Sequence, residues 1–301
     1  MKFGLALSLL AAFAVPAWGQ SLTGAGQAMP LENLGASARA MALGSAFVSV
    51  ADDSSSLFWN AAGLARMQTS ELALHHNQWL GGIQQDTIVM GIYSSVGSLG
   101  IAVNNVDYGS IEGRDASGAL TSSYGGRETG ITAGWGMPLS SNLMAGLSIK
   151  STQQGIANST YFAYSMDLGA LWQWNAATSL GAALNNLGTS VSGSPKASAL
   201  RLGGSWRTAL GADNSLLLAA AGNIELAGTQ KLELGAEDTA FKFLALRAGY
   251  EFSAVDNEIQ GLSGLTLGLG FMVEDWVVDY AFLMYGDLGA SNRISLAYKI
   301  R

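Results

Sequence analysis

The 301-residue sequence has no cysteine, 4 prolines and few charged residues, which make up 12 % of the chain. Without cysteine, the chain can form neither disulfides nor thiolate metal sites. The scarcity of proline suits many paired strands, because proline lacks the N–H that a strand ladder needs. The charged fraction is about half of the ~25 % that is usual in soluble domains. These absences favour a strand-rich chain of low surface charge.

Long apolar runs are also missing. After the first twenty residues, no segment reaches the ~20 apolar residues that a membrane helix requires. A closed β-barrel reconciles high apolar content with this absence, because it satisfies its backbone polar groups within lipid. The formal net charge of −7 argues against nucleic acid as a partner, since polyanions attract basic proteins.

The first residues have the pattern of an export signal. Lys2 gives a positive start, residues 3–15 are apolar, Pro16 breaks the run, and Ala17 and Gly19 supply the small residues read by a signal peptidase. We therefore predict a signal peptide over residues 1–19. Together with the strand pattern below, this indicates the outer membrane of a bacterium.

From Ser70 onward the sequence has a two-residue period. Leu265, Leu267 and Leu269, for example, alternate with Gly268 and Gly270. About fourteen segments of roughly ten residues follow one another, separated by turn residues, as in membrane barrels. The predicted spans are 70–80, 85–94, 97–107, 126–137, 141–153, 161–174, 177–187, 197–208, 213–224, 230–237, 241–252, 264–273, 275–285 and 291–301. The predicted fold is all-β: a transmembrane antiparallel barrel over residues 70–301.

A soluble sandwich or a lipocalin-like barrel would also show alternation. The leader, the number of strands and the aromatic residues near strand ends favour the membrane, where aromatic girdles mark the interfaces. The aromatic residues are Trp79, Tyr93, Trp135, Trp172, Trp174, Trp206, Tyr250 and Trp276. Connections alternate between short and long. The longer ones are 107–126, 153–160, 188–195 and 254–264, and the first of these is the best candidate for an external loop.

Residues 20–69 precede the strands and are predicted to form a plug inside the barrel or at its mouth. Ala38, Met41, Ala42 and Ala46 recur three or four residues apart, which indicates short helical turns. The run from Asp52 to Ser56 has the short oxygen-bearing side chains that cap helices and turns.

The plug carries a family resemblance. The run Arg39-Ala-Met-Ala-Leu-Gly-Ser-Ala46, then Ala51-Asp-Asp53, then Phe58-Trp59-Asn60-Ala61-Ala62-Gly63-Leu64, resembles the opening of the FadL-like outer-membrane proteins. The resemblance is closest to the PorV/PorQ branch. That family usually has Asn-Pro-Ala-Gly where this chain has residues 60–63, so the proline is missing. The resemblance implies a structural role for Trp59, Asn60 and Gly63, with Asn60 fixing the turn before the first strand.

Charged residues in the plug and the strands are expected to form contacts inside the barrel. One of Asp52 and Asp53 is expected to cap a turn and one to pair with a cation such as Arg39; calcium is the weaker alternative, because no regularly spaced ligand loop follows. Mixed charges on the inner wall indicate a network that seals or anchors the plug, and a merely solvated lumen is an equal alternative. The predicted lumen-facing charges are Lys150, Asp167, Arg201, Arg207, Glu233, Arg247, Glu251 and Asp279.

Catalysis and metal binding find no support in the sequence. His75 and His76 are the only histidines, and adjacent strand residues point to opposite faces, so they cannot share one metal. No G-x-S-x-G sequence is present. We therefore predict no enzymatic activity, no metal and no cofactor.

Two functions remain, besides a purely structural barrel. Resemblance to PorV and PorQ implies a membrane platform in protein secretion, with secreted proteins or a translocon as partners. Resemblance to FadL implies a passive channel for hydrophobic molecules such as fatty acids. Because the chain is short, the secretion platform is slightly favoured over the channel. In either case outer-membrane lipid surrounds the barrel.

Overall fold

The computed structural model describes residues 30–191, 193–226, 229–253 and 261–301. The predicted signal peptide and the start of the plug, up to residue 29, lie outside the described residues. Among the residues described, no helix combines the length and apolar character needed to cross a membrane.

Fourteen antiparallel strands close into a barrel, with each strand paired to its sequence neighbours and β1 paired to β14. Closure leaves no unpaired strand edge. The strands are β1 Ser70–Gln78, β2 Gln84–Ile92, β3 Ser98–Ile111, β4 Tyr124–Pro138, β5 Leu143–Ile156, β6 Ser159–Gln173, β7 Thr178–Gly188, β8 Ala199–Ala209, β9 Ser215–Glu225, β10 Gln230–Ala240, β11 Leu244–Ser253, β12 Ser263–Val273, β13 Trp276–Tyr285 and β14 Ala290–Ile300.

Side chains along each strand alternate between the outside and the lumen, as successive residues of a strand must. In β6 the outward residues Tyr164 and Leu168 are 62 % and 42 % exposed, whereas Asp167 and Leu171 are buried within the barrel. The same alternation holds in β12, where Leu267 and Leu269 face outward and Thr266 is buried. The predicted antiparallel barrel of about fourteen strands is confirmed.

Some connections differ from the prediction. The loop predicted at 107–126 is confined to 112–123, because β3 and β4 continue through polar residues on both faces. The long connection predicted at 153–160 is wrong: β5 and β6 are joined by only Ala157 and Asn158. Both errors have one cause. Beyond the apolar band a strand can carry polar residues on both faces, so its ladder continues after the alternation has ended.

The connection between β7 and β8 turns into the barrel. Lys196 and Ala197 are 3 % and 0 % exposed, and Asn33 of the plug donates a hydrogen bond to the Ala197 carbonyl at 3.1 Å. This connection covers the lumen from the rim opposite the chain's C-terminus.

The plug lies inside the barrel, and its helices are short. α1 is Ala38–Ala42, α2 is Ser56–Trp59, and 3₁₀ helices span Pro30–Leu34 and Ala61–Arg66. Its core is formed by Leu43, Phe47 and Trp59, which are almost fully buried. The predicted partly helical plug within a barrel is confirmed.

Candidate functional site

A band of inward-facing glycines allows the plug to lie directly on the barrel wall. A Cβ atom added at Gly146 would lie 2.1 Å from the Ala62 backbone nitrogen, and one at Gly249 would lie 2.2 Å from the Gly44 nitrogen. At these two positions a larger side chain would push the plug backbone away from the wall. We call the following residues the glycine band: Gly91, Gly100, Gly134, Gly136, Gly146, Gly169, Gly181, Gly203, Gly235, Gly249 and Gly268.

Asn60 connects the two helical parts of the plug to the wall. Its side-chain oxygen accepts a hydrogen bond from the Ala62 N–H, which caps the start of the 3₁₀ helix. Its amide donates to the Val48 carbonyl at 2.9 Å and to the Ala170 carbonyl of β6 at 3.0 Å. The close approach needs Gly169, where a Cβ would lie 2.1 Å from the Asn60 oxygen.

Trp59 occupies the centre of the plug. Its indole N–H donates to the Ala36 carbonyl at 3.0 Å, and its ring packs edge-on against Phe47. The guanidinium of Arg201, on β8, lies 4.8 Å from the centre of the Trp59 ring, a cation–π geometry. Gly63 lies behind this core, where an added Cβ would meet Ser56 Oγ at 2.6 Å.

Arg39 ties the plug to the wall through buried carboxylates. It donates to Asp52 at 2.6 Å and, through Nε, to Glu237 of β10 at 2.9 Å. Glu237 also pairs with Arg247 of β11 at 2.7 Å, and Arg247 pairs with Asp279 of β13 at 2.6 Å. We call these five residues the ionic clamp. Although burial alone would lower the pKa of Arg39, Asp52 and Glu237 raise it well above its usual value, so the guanidinium remains charged.

The two adjacent aspartates have different environments. Asp53 Oδ1 accepts hydrogen bonds from the Ser55 N–H and hydroxyl, and its Oδ2 lies 3.5 Å from Arg39 Nη1. Asp52 pairs with Arg39 at the shorter distance of 2.6 Å and also with Arg207. Burial raises the pKa of Asp53 to about 7, and the nearby Glu71 carboxylate adds to the rise. Burial would also raise the pKa of Asp52, but Arg39 and Arg207 outweigh it and lower that pKa.

Of the other lumen charges predicted from the sequence, Lys150, Asp167 and Glu251 have ionic partners on the inner wall, whereas Glu233 Oε1 and Arg201 Nε and Nη1 are buried without a hydrogen-bond partner. Lys150 lies 2.8 Å from Asp167, and Glu251 pairs with Lys231 at 3.0 Å. Three residues that were not predicted from the sequence also form ion pairs inside the barrel. Lys196 forms an ion pair with Glu32 of the plug, and Glu237 belongs to the ionic clamp.

Of these unpredicted residues, only Glu237 could have been identified from the sequence. Glu237 shares the strand parity of the predicted Glu233, so parity alone could have found it. Glu32 and Lys196 lie in segments without alternation. Nothing in their sequence context indicates that both enter the lumen.

A cavity of about 230 Å³ lies between the plug and the wall, on the rim that carries the C-terminus. Its lining is mixed, with Asp52, Arg66 and Arg207 beside Val50 and Leu217. Arg66 donates from this edge of the plug to Gln173 and Ser179 of the wall at 3.0 and 2.9 Å. Arg66 and Asp52 thus both line this cavity and both contact the wall.

Within the described ranges, no three His, Asp or Glu side chains lie close enough together to hold a metal ion. The histidines lie on opposite faces of β1. His75 contacts Ser295 of β14 at 2.7 Å inside the barrel, while the exposed His76 contacts Asp86 of β2 at 2.7 Å.

The sequence matches the profile of the uncharacterised protein family UPF0164 over residues 20–275. The chain belongs to this family. A comparison of this family member with curated proteins finds no match.

Solved structures show what the barrel is similar to. It is similar to the CymD monoaromatic hydrocarbon channel (TM-score 0.61, 12 % identity, covering 89 % of this chain and 98 % of that one). It is also similar to the toluene transporters TbuX of Ralstonia pickettii (TM-score 0.58, 12 % identity, 89 % and 99 % covered) and TodX of Pseudomonas putida (TM-score 0.59, 13 % identity, 85 % and 96 % covered). A FadL homologue of Pseudomonas aeruginosa matches at a TM-score of 0.51, with 12 % identity and 84 % and 96 % covered. The fold of this UPF0164 chain is thus that of the FadL-like transmembrane barrels. None of these neighbours is described as a PorV or PorQ protein.

Proposed function

We propose that the protein is a bacterial outer-membrane channel through which small hydrophobic molecules cross passively. The observation that supports this most is the likeness of the whole plugged barrel to hydrocarbon channels, since the match to CymD covers 89 % of this chain and 98 % of that one. Monoaromatic hydrocarbons, the class named for that channel, are the first solutes to test. The hydrophobic channel implied by the FadL resemblance is therefore proposed ahead of the secretion platform.

Passage through this barrel requires the plug contacts to yield. The ionic clamp holds the plug on the side of β10, β11 and β13, and Arg66 holds its other end near β6 and β7. The cavity beside Arg66 is also lined by Asp52 and Arg207, which lie 3.4 Å apart. Local displacement near Arg66 would open it further, because this edge is held by hydrogen bonds rather than by a buried ion pair.

The test is uptake of a radiolabelled monoaromatic hydrocarbon by cells that lack other hydrocarbon channels. Cells carrying the protein should take up the hydrocarbon several times faster than cells with an empty vector, and should take up a labelled disaccharide no faster. Equal hydrocarbon uptake in both strains, with the protein folded in the outer membrane, would contradict the proposal.

A reversible lock provides the matched control. A Cβ built at Gly91 of the wall lies 3.1 Å from the Ser54 Cβ of the plug, near the ~3.5–4.5 Å of a disulfide, but only 2.4 Å from the end of the Met67 side chain. Met67→Ala removes that overlap. Because the chain has no cysteine, Ser54→Cys with Gly91→Cys in the Met67→Ala background would form a single defined bond, and the Met67→Ala protein is the reference for uptake. Oxidation should slow hydrocarbon uptake and reduction should restore it, if the solute passes where the plug moves. Equal hydrocarbon uptake with the disulfide oxidised and reduced would mean that the solute passes elsewhere in the wall.

A second candidate is the PorV/PorQ-like platform in protein secretion. The closed, charged lumen favours it, since a platform needs no open passage. A pull-down from the native envelope distinguishes the two. Stoichiometric recovery of a secreted protein or translocon component, without hydrocarbon uptake, would favour the platform.

The domain division follows the same proposal. Residues 1–19 would be the signal peptide, 20–69 the plug and 70–301 the barrel, with no enzymatic role. Sequencing the N-terminus of the mature protein tests the first boundary. The expected first residue is Gln20.

A further inference from the structure

A small polar cavity lies where the first strand, the last strand and the plug meet. Its volume is about 10 Å³, and its lining includes His75 of β1, Arg293 and Ser295 of β14, and Ala36 and Ala38 of the plug. This volume holds one water-sized occupant. A volume this small suits a water molecule or a monatomic ion better than a polyatomic ligand.

Arg293 brings a buried charge to this cavity without a complete set of partners. The residue is 2 % exposed, and its Nη1 donates to the Leu34 and Gly35 carbonyls at 3.1 and 3.3 Å. Its Nε and Nη2 are buried and have no hydrogen-bond partner. No carboxylate within the described ranges forms an ion pair with it; Glu251, for example, is engaged by Lys231. An uncompensated buried guanidinium is costly, because it has lost its water without gaining an opposite charge.

His75 contributes a further unpartnered donor. Ser295 Oγ accepts the Ala38 N–H at 2.8 Å and lies 2.7 Å from His75 Nδ1. Since Ser295 already accepts from the plug, its own hydrogen can donate to Nδ1, which leaves the proton of a neutral imidazole on Nε2. That Nε2 is buried and has no partner.

In this tautomer of His75, the unpartnered groups of Arg293 and His75 are all donors, beside one positive charge. A water molecule would satisfy some of the donors but leave the charge uncompensated. We propose that this cavity binds a single halide-sized anion, chloride under physiological conditions. The anion would join β1, β14 and the plug at the point where the barrel closes.

The direct test uses the full-length protein crystallised from detergent in sodium bromide. Bromide scatters anomalously and replaces chloride. We expect an anomalous difference peak between Arg293 and His75. Electron density in the cavity as weak as that of a water molecule, with no anomalous peak, would overturn the proposal.

A solution measurement gives an independent result. An anion that binds only the folded barrel raises its unfolding temperature. We expect the unfolding midpoint in sodium chloride to exceed that in sodium gluconate of equal ionic strength by about 2 °C or more. This difference should vanish in Arg293→Gln and persist in Arg127→Gln, a matched charge change at a 65 % exposed side chain. An equal chloride response in Arg293→Gln and the unmodified protein would overturn the proposal. Should Arg293→Gln fail to fold, the bromide crystal decides alone.

Discussion

At the scale of single residues, the inward-facing glycines matter as much to the position of the plug as the charged side chains do. At Gly136, Gly146, Gly181, Gly235 and Gly249 of the glycine band, the plug backbone lies too close to the wall to leave room for a methyl group. Charged side chains then fix the plug at a few points, chiefly Arg39 and Arg66. Close backbone approach sets the position of the plug, and buried charges hold it there.

Gly146→Ala should destabilise the protein by about 2 kcal/mol, because the new Cβ would overlap the Ala62 backbone and force the plug to shift. Urea unfolding from phospholipid vesicles measures the change. The control is Gly130→Ala, also facing the lumen, where the nearest atom to the new Cβ is Thr152 Oγ1 at 3.6 Å. Equal stability of the two variants would show that the plug does not contact Gly146.

Asp53 should make stability depend on pH between about 4 and 7. Burial, with Glu71 nearby, raises its pKa to about 7 in the folded state, against an ordinary value near 4. As pH rises through this window, the unfolded chain releases its proton more readily, so the contribution of Asp53 to stability falls. Asp53→Asn should therefore gain stability relative to the unmodified protein between pH 5 and pH 8. A difference between the two proteins that stays constant with pH would contradict the assigned environment.

At the scale of elements, α1 and the segment around Asn60 make two separate attachments between the plug and the wall. α1 carries Arg39 to the ionic clamp on β10, β11 and β13. Asn60 bridges Val48 and Ala170. The two attachments lie on different strands, so the loss of one should leave the other in place.

The Arg39–Glu237 contact should be energetically coupled. In a double-mutant cycle with Arg39→Met and Glu237→Gln, we expect a coupling of about 1 to 3 kcal/mol, because both side chains are largely buried. The pair Lys242–Asp213, at a turn, is 72 % and 59 % exposed and should show a coupling near zero. Similar coupling in both cycles would mean that water screens the clamp.

Asn60→Ala should reduce both stability and folding yield. The change leaves the Ala62 N–H and the Val48 and Ala170 carbonyls without their present partner, at a cost of about 1 to 3 kcal/mol. Refolding into vesicles followed by urea unfolding gives both quantities. Asn158→Ala, at the exposed β5–β6 turn, is the control and should behave like the unmodified protein. If Asn60→Ala matched this control, the bridging role would have to be abandoned.

Much of the barrel could be predicted, because lipid on one side and a polar lumen on the other impose a two-residue period. The period ends where both faces meet water, which is why the ends of β3, β4 and β5 were misplaced. The site was less accessible from sequence. Glu237 had a parity signal, whereas Lys196 enters the lumen on a connection whose course depends on tertiary contacts.

At the scale of the whole molecule, the barrel and the plug solve one problem together. Each of the fourteen strands is hydrogen-bonded to two neighbours in a closed barrel, and the plug fills the lumen that the barrel encloses. The outer wall is apolar and the inner wall is charged, so neither part would be stable with its faces exchanged. The alternation along the strands and the packing of the plug against the wall both follow from this arrangement.

The arrangement is tested most directly by a spin-label scan of β6 in lipid bilayers, one cysteine at a time from position 162 to 172. The chain has no cysteine of its own, so each label reports a single site. Dissolved oxygen should reach labels at Tyr164, Met166 and Leu168 readily and those at Ser165 and Asp167 poorly, because only the first three face lipid. Accessibility without a two-residue period, or a water-soluble relaxant reaching Leu168, would contradict a lipid-embedded barrel with a filled lumen.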